Sequence, residues 1–161
     1  MKRLQSTLLF LVFVPYTLMA GYSISFKNIK VGDIKSLTTL KDNYIEIDIT
    51  NPIARLMAGK DRMIYYNERY SIERDKNVKY KKDRYQVIEL LKLTTQGKIR
   101  QKDIAIKKDK IITLSQTSAD HFSYIYNSKE RIKAKGSIEI KDQKLMALID
   151  SQNGVEIIRQ N

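Results

Sequence analysis

The sequence predicts a mainly β fold of the α+β class, an antiparallel sheet with one or two short helices. Segments that alternate apolar and polar residues recur along the chain, which is the period of half-buried strands. Short polar turn signals separate most of these segments in the second half, such as Gln-Asn-Gly at 152–154. The chain has 161 residues, 42% of them hydrophobic, and it contains no internal repeat or linker, so we expect one globular domain.

The N-terminal segment at 1–20 has the pattern of a secretory signal peptide. It begins with two cations, continues with a short apolar run at 8–14, and is broken by Pro15 before the small residue Ala20. The run is much shorter than the roughly 20 residues that cross a bilayer, although a retained anchor is the alternative. We therefore expect cleavage after Ala20 and a periplasmic or secreted protein with one β-rich domain at 21–161.

The absence of cysteine and the high positive charge narrow the function classes. Without cysteine the chain has no disulfide, no thiolate chemistry and no lipid anchor on an N-terminal cysteine. The formal net charge of +12 would suggest nucleic acid in a cytoplasmic protein. Export and the excess of Lys over Arg argue against that partner, since Arg is favoured at bidentate phosphate sites. We expect no nucleic acid; the candidate partners are a lipid or an envelope protein, with peripheral membrane contact.

The cations gather in two stretches of the sequence, where a basic patch for anionic headgroups or an acidic partner is one possible role. The favoured interpretation is that these residues occupy solvated loops and the outward faces of strands. The candidate patch residues are Lys79, Lys81, Lys82, Arg84, Lys107 and Lys108.

The first strands follow from apolar–polar alternation. Residues 22–26 alternate, and 29–31 continue as strand towards a tight corner at Gly-Asp. Residues 44–50 form the clearest strand, with three isoleucines on one side and Glu46 and Asp48 on the other. We expect this carboxylate pair to lie on a solvated face with cationic cross-strand partners.

The next segment changes to a helical period. Asn51 followed by proline is a good N-cap and first helical position, and Gly59 can end the helix in the left-handed conformation. Ile53, Leu56 and Met57 fall on one face of this helix.

The middle of the chain is predicted as a tyrosine-rich strand at 62–70, a charged loop at 76–83 and then an ambiguous apolar segment at 85–95. A helix between Asp83 as cap and Gly97 as stop is the favoured interpretation of that segment, and a buried strand is the alternative.

From residue 103 onwards the pattern is β throughout, and the last three strands predict an antiparallel meander. The predicted strands lie at 103–107, 111–114, 122–127, 132–141, 144–150 and 155–159.

No catalytic, cofactor or metal site is predicted, and we expect the protein not to be an enzyme. His121 is the only histidine, and the adjacent Asp120 would point away from it on a strand, so a Ser-His-Asp arrangement is not indicated. One histidine without cysteine does not make an ordinary zinc site, and no glycine-rich phosphate loop is present.

The tyrosines are more suggestive, because Tyr combines an apolar body with a polar tip that suits a binding groove. The alternative is that they fill half-buried strand positions, where Tyr is favoured. The candidate ligand-lining residues are Tyr65, Tyr66, Tyr85, Tyr124 and Tyr126.

Two resemblances follow from these patterns. The segment Tyr22-x-Ile24-x-Phe26 with Ile29-x-Val31-Gly32, followed by Thr-Asn-Pro-Ile-Ala-Arg-Leu at 50–56, resembles a family of uncharacterised exported bacterial β proteins. That family has no established activity, so the resemblance implies no catalytic residue.

The size, strand number and two helical segments are also similar to lipoprotein-carrier half-barrels of the LolA and LolB type. This analogy implies a curved antiparallel sheet or half-barrel that encloses an apolar cavity. It also implies that the helix faces cover the sheet, through Ile53, Leu56, Met57, Ile88 and Leu91.

The expected function is therefore non-enzymatic binding or carriage of an apolar or lipid-like ligand. The alternative is a structural or interaction protein of the cell envelope that docks through a basic face.

Overall fold

The computed structural model describes residues 21–71, 73–100 and 102–160, and the predicted signal peptide lies outside them. The described residues form eleven strands in one open sheet and two short α-helices, which confirms the predicted mainly β fold. The strands are β1 (Tyr22–Phe26), β2 (Ile29–Ile34), β3 (Tyr44–Ile49), β4 (Arg62–Tyr66), β5 (Val78–Lys82), β6 (Lys102–Lys107), β7 (Lys110–Gln116), β8 (His121–Ser128), β9 (Arg131–Lys141), β10 (Lys144–Asp150) and β11 (Val155–Arg159). The helices are α1 (Pro52–Ala58) and α2 (Val87–Thr95), with a 3-10 helix at Thr38–Asp42.

The strand order is β5-β4-β3-β2-β1-β11-β10-β9-β8-β7-β6. The pairing of β1 with β11 joins the two halves of the chain in the middle of the sheet. The last three strands form the predicted antiparallel meander. All neighbouring pairs are antiparallel except β4 and β5, which run parallel, so the sheet is mixed rather than purely antiparallel.

Strand β5 corrects the prediction of a charged loop at 76–83. Its sequence is Val-Lys-Tyr-Lys-Lys, and it forms an edge of the sheet. Lysines on an edge strand discourage pairing with another chain, so they are common there even though they resemble loop composition. The preceding strand is also shorter than predicted, because β4 ends at Tyr66 rather than at residue 70.

Helix α2 packs on one face of the sheet, called here the inner face, and the two form a single hydrophobic core. This confirms the helical interpretation of 85–95. Gly97, with φ of 64°, lies just beyond the helix end. The buried residues of α2 are Val87, Ile88, Leu90, Leu91, Leu93 and Thr94.

The sheet curves so that its two edges approach each other. Glu68, just after β4, forms ion pairs with Lys107 of β6 and with Lys110 of β7, whose Nζ lies 3.5 Å from Glu68 Oε1. Lys82 of β5 contacts the same carboxylate at 3.8 Å. The hydrogen bond from Lys107 lowers the pKa of Glu68, so these contacts are retained above that pKa and lost as the pH falls through it. The result is a half-barrel with a polar seam.

Helix α1 begins and ends as predicted. Asn51 Oδ1 accepts hydrogen bonds from the backbone N–H groups of Ile53 at 2.9 Å and Ala54 at 3.0 Å. Gly59 ends the helix with φ of 68°.

The expectation that α1 covers the sheet is wrong. Ile53, Leu56 and Met57 are 71%, 83% and 83% exposed, and no residue of α1 is buried. The opposite side of the helix is turned to the protein, where the Arg55 guanidinium donates to the carbonyl oxygen of Ile49 at 2.9 Å and 3.2 Å. Periodicity identifies the residues that share a face but not what that face contacts.

Gly136 allows three strands to pack closely at the centre of the second half. It lies on β9 opposite Tyr124 of β8 and Asp150 of β10. A Cβ atom at this position would overlap the carbonyl oxygen of Ile149 and lie 2.9 Å from Tyr124 Cε1. The site therefore excludes any side chain.

We predict that Gly136→Ala lowers the free energy of unfolding by about 3 kcal/mol, because the added methyl group must displace backbone. The matched control is Gly59→Ala, where the added methyl group has no atom within 4 Å. This substitution should lower the free energy of unfolding by only about 1 kcal/mol, because the residue has a positive φ. Urea denaturation measures both changes. A cost at Gly136 no larger than at Gly59 would contradict the close approach.

Candidate functional site

A cavity of about 690 Å³ lies between the inner face of the sheet and the start of α2. It occupies the side of the inner face formed by β1, β3, β4, β5 and β11. The exposed area of its walls is mainly apolar. Principal apolar wall residues are Ile24, Ile45, Ile47, Met63, Val87 and Ile157.

Asp83 fixes the helical side of this cavity to the sheet. Its Oδ1 accepts from the Tyr65 hydroxyl at 2.9 Å and from the Tyr85 backbone N–H at 3.0 Å. Its Oδ2 accepts from the backbone N–H of Ile88 at 2.9 Å. Because α2 begins after Gln86, which has φ of 59° and makes no side-chain cap, Asp83 supplies the cap from three residues upstream. The predicted capping role of Asp83 thus has its counterpart in the structure.

The electrostatics of this contact keep the phenol protonated. Burial raises the pKa of Asp83, while its hydrogen bonds from Ile88 and Tyr65 act in the opposite direction. Burial, together with the nearby Asp83 carboxylate, raises the pKa of Tyr65. Tyr65 therefore remains a hydrogen-bond donor and presents its ring to the cavity.

The rim of the cavity is cationic. Four cations line it, and no Asp or Glu is among the described residues that do so. Gln152 and Asn153 add neutral polar groups. The four rim cations are Lys27, Lys81, Lys82 and Arg84.

Two of the five candidate tyrosines, Tyr65 and Tyr85, meet at the cavity. Tyr124 and Tyr126 do not line it, because each is 1% exposed within the core. Tyr66 is next to Tyr65 on β4 and therefore projects from the opposite, outer face.

On the outer face, Tyr66 belongs to a cluster of tyrosine rings. The Tyr66 and Tyr70 ring centroids are 5.1 Å apart, and the Arg74 guanidinium lies 5.3 Å from the Tyr80 ring. Burial, followed by the proximity of Tyr80, raises the pKa of Tyr70 to about 12. These contacts fasten the segment after β4 to the outer face of the sheet, which is a structural role.

The structure brings part of the predicted basic patch together. Lys81, Lys82 and Arg84 lie at the rim, and Lys82 and Lys107 share the Glu68 carboxylate at the seam. The other two predicted residues do not line the cavity: Lys79 is exposed on β5, and Lys108 is exposed in the turn between β6 and β7.

The remaining candidates lie on the surface. His121 is exposed, with Nδ1 3.1 Å from Ser118 Oγ and Nε2 3.9 Å from a Glu139 carboxylate oxygen. Glu46 pairs with Arg62 at 3.1 Å and Asp48 with Lys35 at 2.7 Å, so both carboxylates have the cationic neighbours expected of a solvated face. Within the described ranges, no cluster of three metal-ligating side chains is present.

No helix among the described residues is long and apolar enough to span a bilayer.

The sequence analysis did not identify Met63 and Lys27 as cavity-lining residues, and it gave Asp83 a capping role only. Met63 could have been found, because it alternates with Tyr65 on β4 and pairs with Ile47. Lys27 has no such indication, since it lies in the turn between β1 and β2 and reaches the cavity only through the folding of the sheet.

Comparison with known proteins adds no assignment: no family model, curated protein or solved structure matches the chain. The two resemblances described from the sequence therefore stay predictions.

We predict that Asp83→Ala lowers the free energy of unfolding by about 3 kcal/mol, because it leaves two backbone N–H groups and the Tyr65 hydroxyl without an acceptor. Asp103→Ala, at an exposed position on β6, is the matched control and should stay within about 0.5 kcal/mol. Chemical denaturation compares the two variants. Equal effects would show that Asp83 does not hold α2 to the sheet.

Proposed function

We propose that this chain is a non-enzymatic binding or carrier protein for an apolar or lipid-like ligand held between the sheet and α2. The observation that carries the proposal is the apolar cavity left where the inner face is not covered by the helix. Its volume of about 690 Å³ falls within the roughly 300–1,000 Å³ common for small-molecule sites.

The composition of the walls supports this ligand class. Aliphatic side chains and the rings of Tyr65 and Tyr85 gain free energy when an apolar chain displaces water from them. The buried carboxylate nearby, Asp83, is committed to the start of α2 through three hydrogen bonds. The site is therefore suited to holding an apolar group rather than to transforming one.

The proposal includes the compartment. The signal pattern at 1–20 would direct the protein to the periplasm or the medium. A carrier is useful there because an apolar molecule must cross an aqueous space between membranes.

We predict that Met63→Trp weakens binding of the neutral fluorescent probe N-phenyl-1-naphthylamine by at least about tenfold, or roughly 1.4 kcal/mol. The larger side chain would fill the wall between β3 and β5. Ile158→Trp is the matched control, since Ile158 is 40% exposed and does not line the cavity. Fluorescence titration gives both affinities. Failure of the wild-type protein to bind the probe would refute the proposed function.

A second candidate function is docking on the cell envelope, and α1 favours it. The helix exposes Ile53, Leu56 and Met57 together, which is unusual for surface residues of this size. Beside it lies a depression of about 420 Å³ whose charged lining consists of three cations, Arg55, Lys60 and Arg62, and one acid, Asp61, which pairs with Arg55 at 3.0 Å. Apolar side chains beside cations are the features of a helix that lies in the interface of an anionic membrane.

We predict that the protein binds phosphatidylglycerol-containing vesicles and that changing Ile53, Leu56 and Met57 to Ser reduces this binding more than tenfold, in line with the area lost. Vesicle flotation at low and high salt measures it. Changing Ile29, Ile125 and Ile132 to Ser is a control at other exposed apolar positions. Equal loss in both triple variants would argue against docking through α1.

A further inference from the structure

The charged residues that line the cavity are all cationic. The whole chain has 18 Asp and Glu residues, yet the described residues that line the cavity include four cations and no carboxylate. On the outer surface some cations are matched with acids: Lys35 pairs with Asp48 and Arg62 pairs with Glu46, at 2.7 Å and 3.1 Å. The rim is distinguished by its setting, because its cations border mainly apolar walls to which no Asp or Glu of the described residues contributes.

Among the described residues, three of the four rim cations form no ion pair, and two of these, Lys81 and Arg84, lie close together in the chain between β5 and α2, whereas Lys27 lies in the turn between β1 and β2. Lys81 is opposite Tyr65 in the parallel register of β4 and β5, so both side chains project from the inner face. Arg84 lies between Asp83 and Tyr85 at the entrance to α2. Among the described residues, neither Lys81 nor Arg84 forms an ion pair, whereas Lys82 contacts Glu68 at 3.8 Å.

We infer that the ligand is an anionic amphiphile, whose chain lies along the apolar walls and whose carboxylate or phosphate contacts Lys81 and Arg84. This inference rests on the proposed function and adds the class of headgroup. An Arg guanidinium can bind either anion through two parallel hydrogen bonds. These two charges attract an anionic headgroup, and a cationic headgroup would be repelled.

The test uses three amphiphiles with the same 14-carbon acyl chain: myristate, monomyristoyl glycerol and myristoylcholine. Each competes for the cavity against N-phenyl-1-naphthylamine on the intact protein below its micellar concentration. We expect myristate to bind about tenfold more tightly than the neutral glyceride, which is the gain that two charge contacts at exposed side chains can provide. Myristoylcholine should bind most weakly, and the myristate preference should shrink at high salt.

The variant Lys81→Gln/Arg84→Gln should lose the preference for myristate while its affinity for the glyceride changes less than twofold. Lys133→Gln/Arg131→Gln makes the same charge change at exposed positions on β9 and should retain the preference. Lys81→Glu/Arg84→Glu should reverse the order in favour of myristoylcholine. Circular dichroism confirms that each variant is folded.

The outcomes distinguish failure of the anionic headgroup from failure of the cavity as a binding site. Binding of the glyceride as tight as that of myristate would overturn the anionic headgroup while leaving the cavity as a binding site. A myristate preference that survives in the Gln and Glu variants would overturn the contact of the headgroup with Lys81 and Arg84. If none of the three amphiphiles displaced the probe, the proposed function and the inference would both fail. Lysophosphatidate in place of myristate distinguishes a phosphate headgroup from a carboxylate.

Discussion

The fold depends on the burial of the inner face of the sheet by α2. This helix is too short to cover the whole inner face. Nine residues at about 1.5 Å each give a helix of roughly 14 Å. Eleven strands, laid flat at about 4.8 Å spacing, would span roughly 48 Å. Curvature reduces the uncovered area, and the remaining inner face, formed by β1, β3, β4, β5 and β11, lines the cavity. The apolar space is thus a geometric consequence of a wide sheet and a short helix.

Two polar contacts set the dimensions of that space. Asp83 ties the start of α2 to Tyr65 on β4, which fixes the height of the helix above the sheet. Glu68 joins the two edge strands of the sheet, because it contacts Lys82 at the end of β5 and Lys107 at the end of β6. These contacts limit how far the half-barrel opens. The first contact is buried and adds rigidity. The second is accessible to solvent and will weaken with salt, so the seam is the softer of the two boundaries.

Much of the fold follows from the sequence, because alternation identified the strands from β6 to β11 and the capping residues located both helices. Which of the apolar faces are buried and which are exposed to solvent was harder to predict. Ile53, Leu56 and Met57 have the spacing of a buried face but lie in the open, whereas Tyr124 and Tyr126 are covered by the core. Strand β5 was predicted as a loop because its lysines give it the composition of one. The cavity itself combines residues from β1, β4 and β11, which come together only through the long-range pairing of the chain ends.

The central claim, that an amphiphile lies between the sheet and α2, is tested most directly by photo-crosslinking with a myristate analogue that carries a diazirine near the end of its chain. Mass spectrometry of the digested protein should place the adducts on cavity residues such as Met63, Tyr65 and Tyr85, and excess myristate should suppress them. Adducts confined to the exposed face of α1, or spread over the surface without competition, would contradict the account.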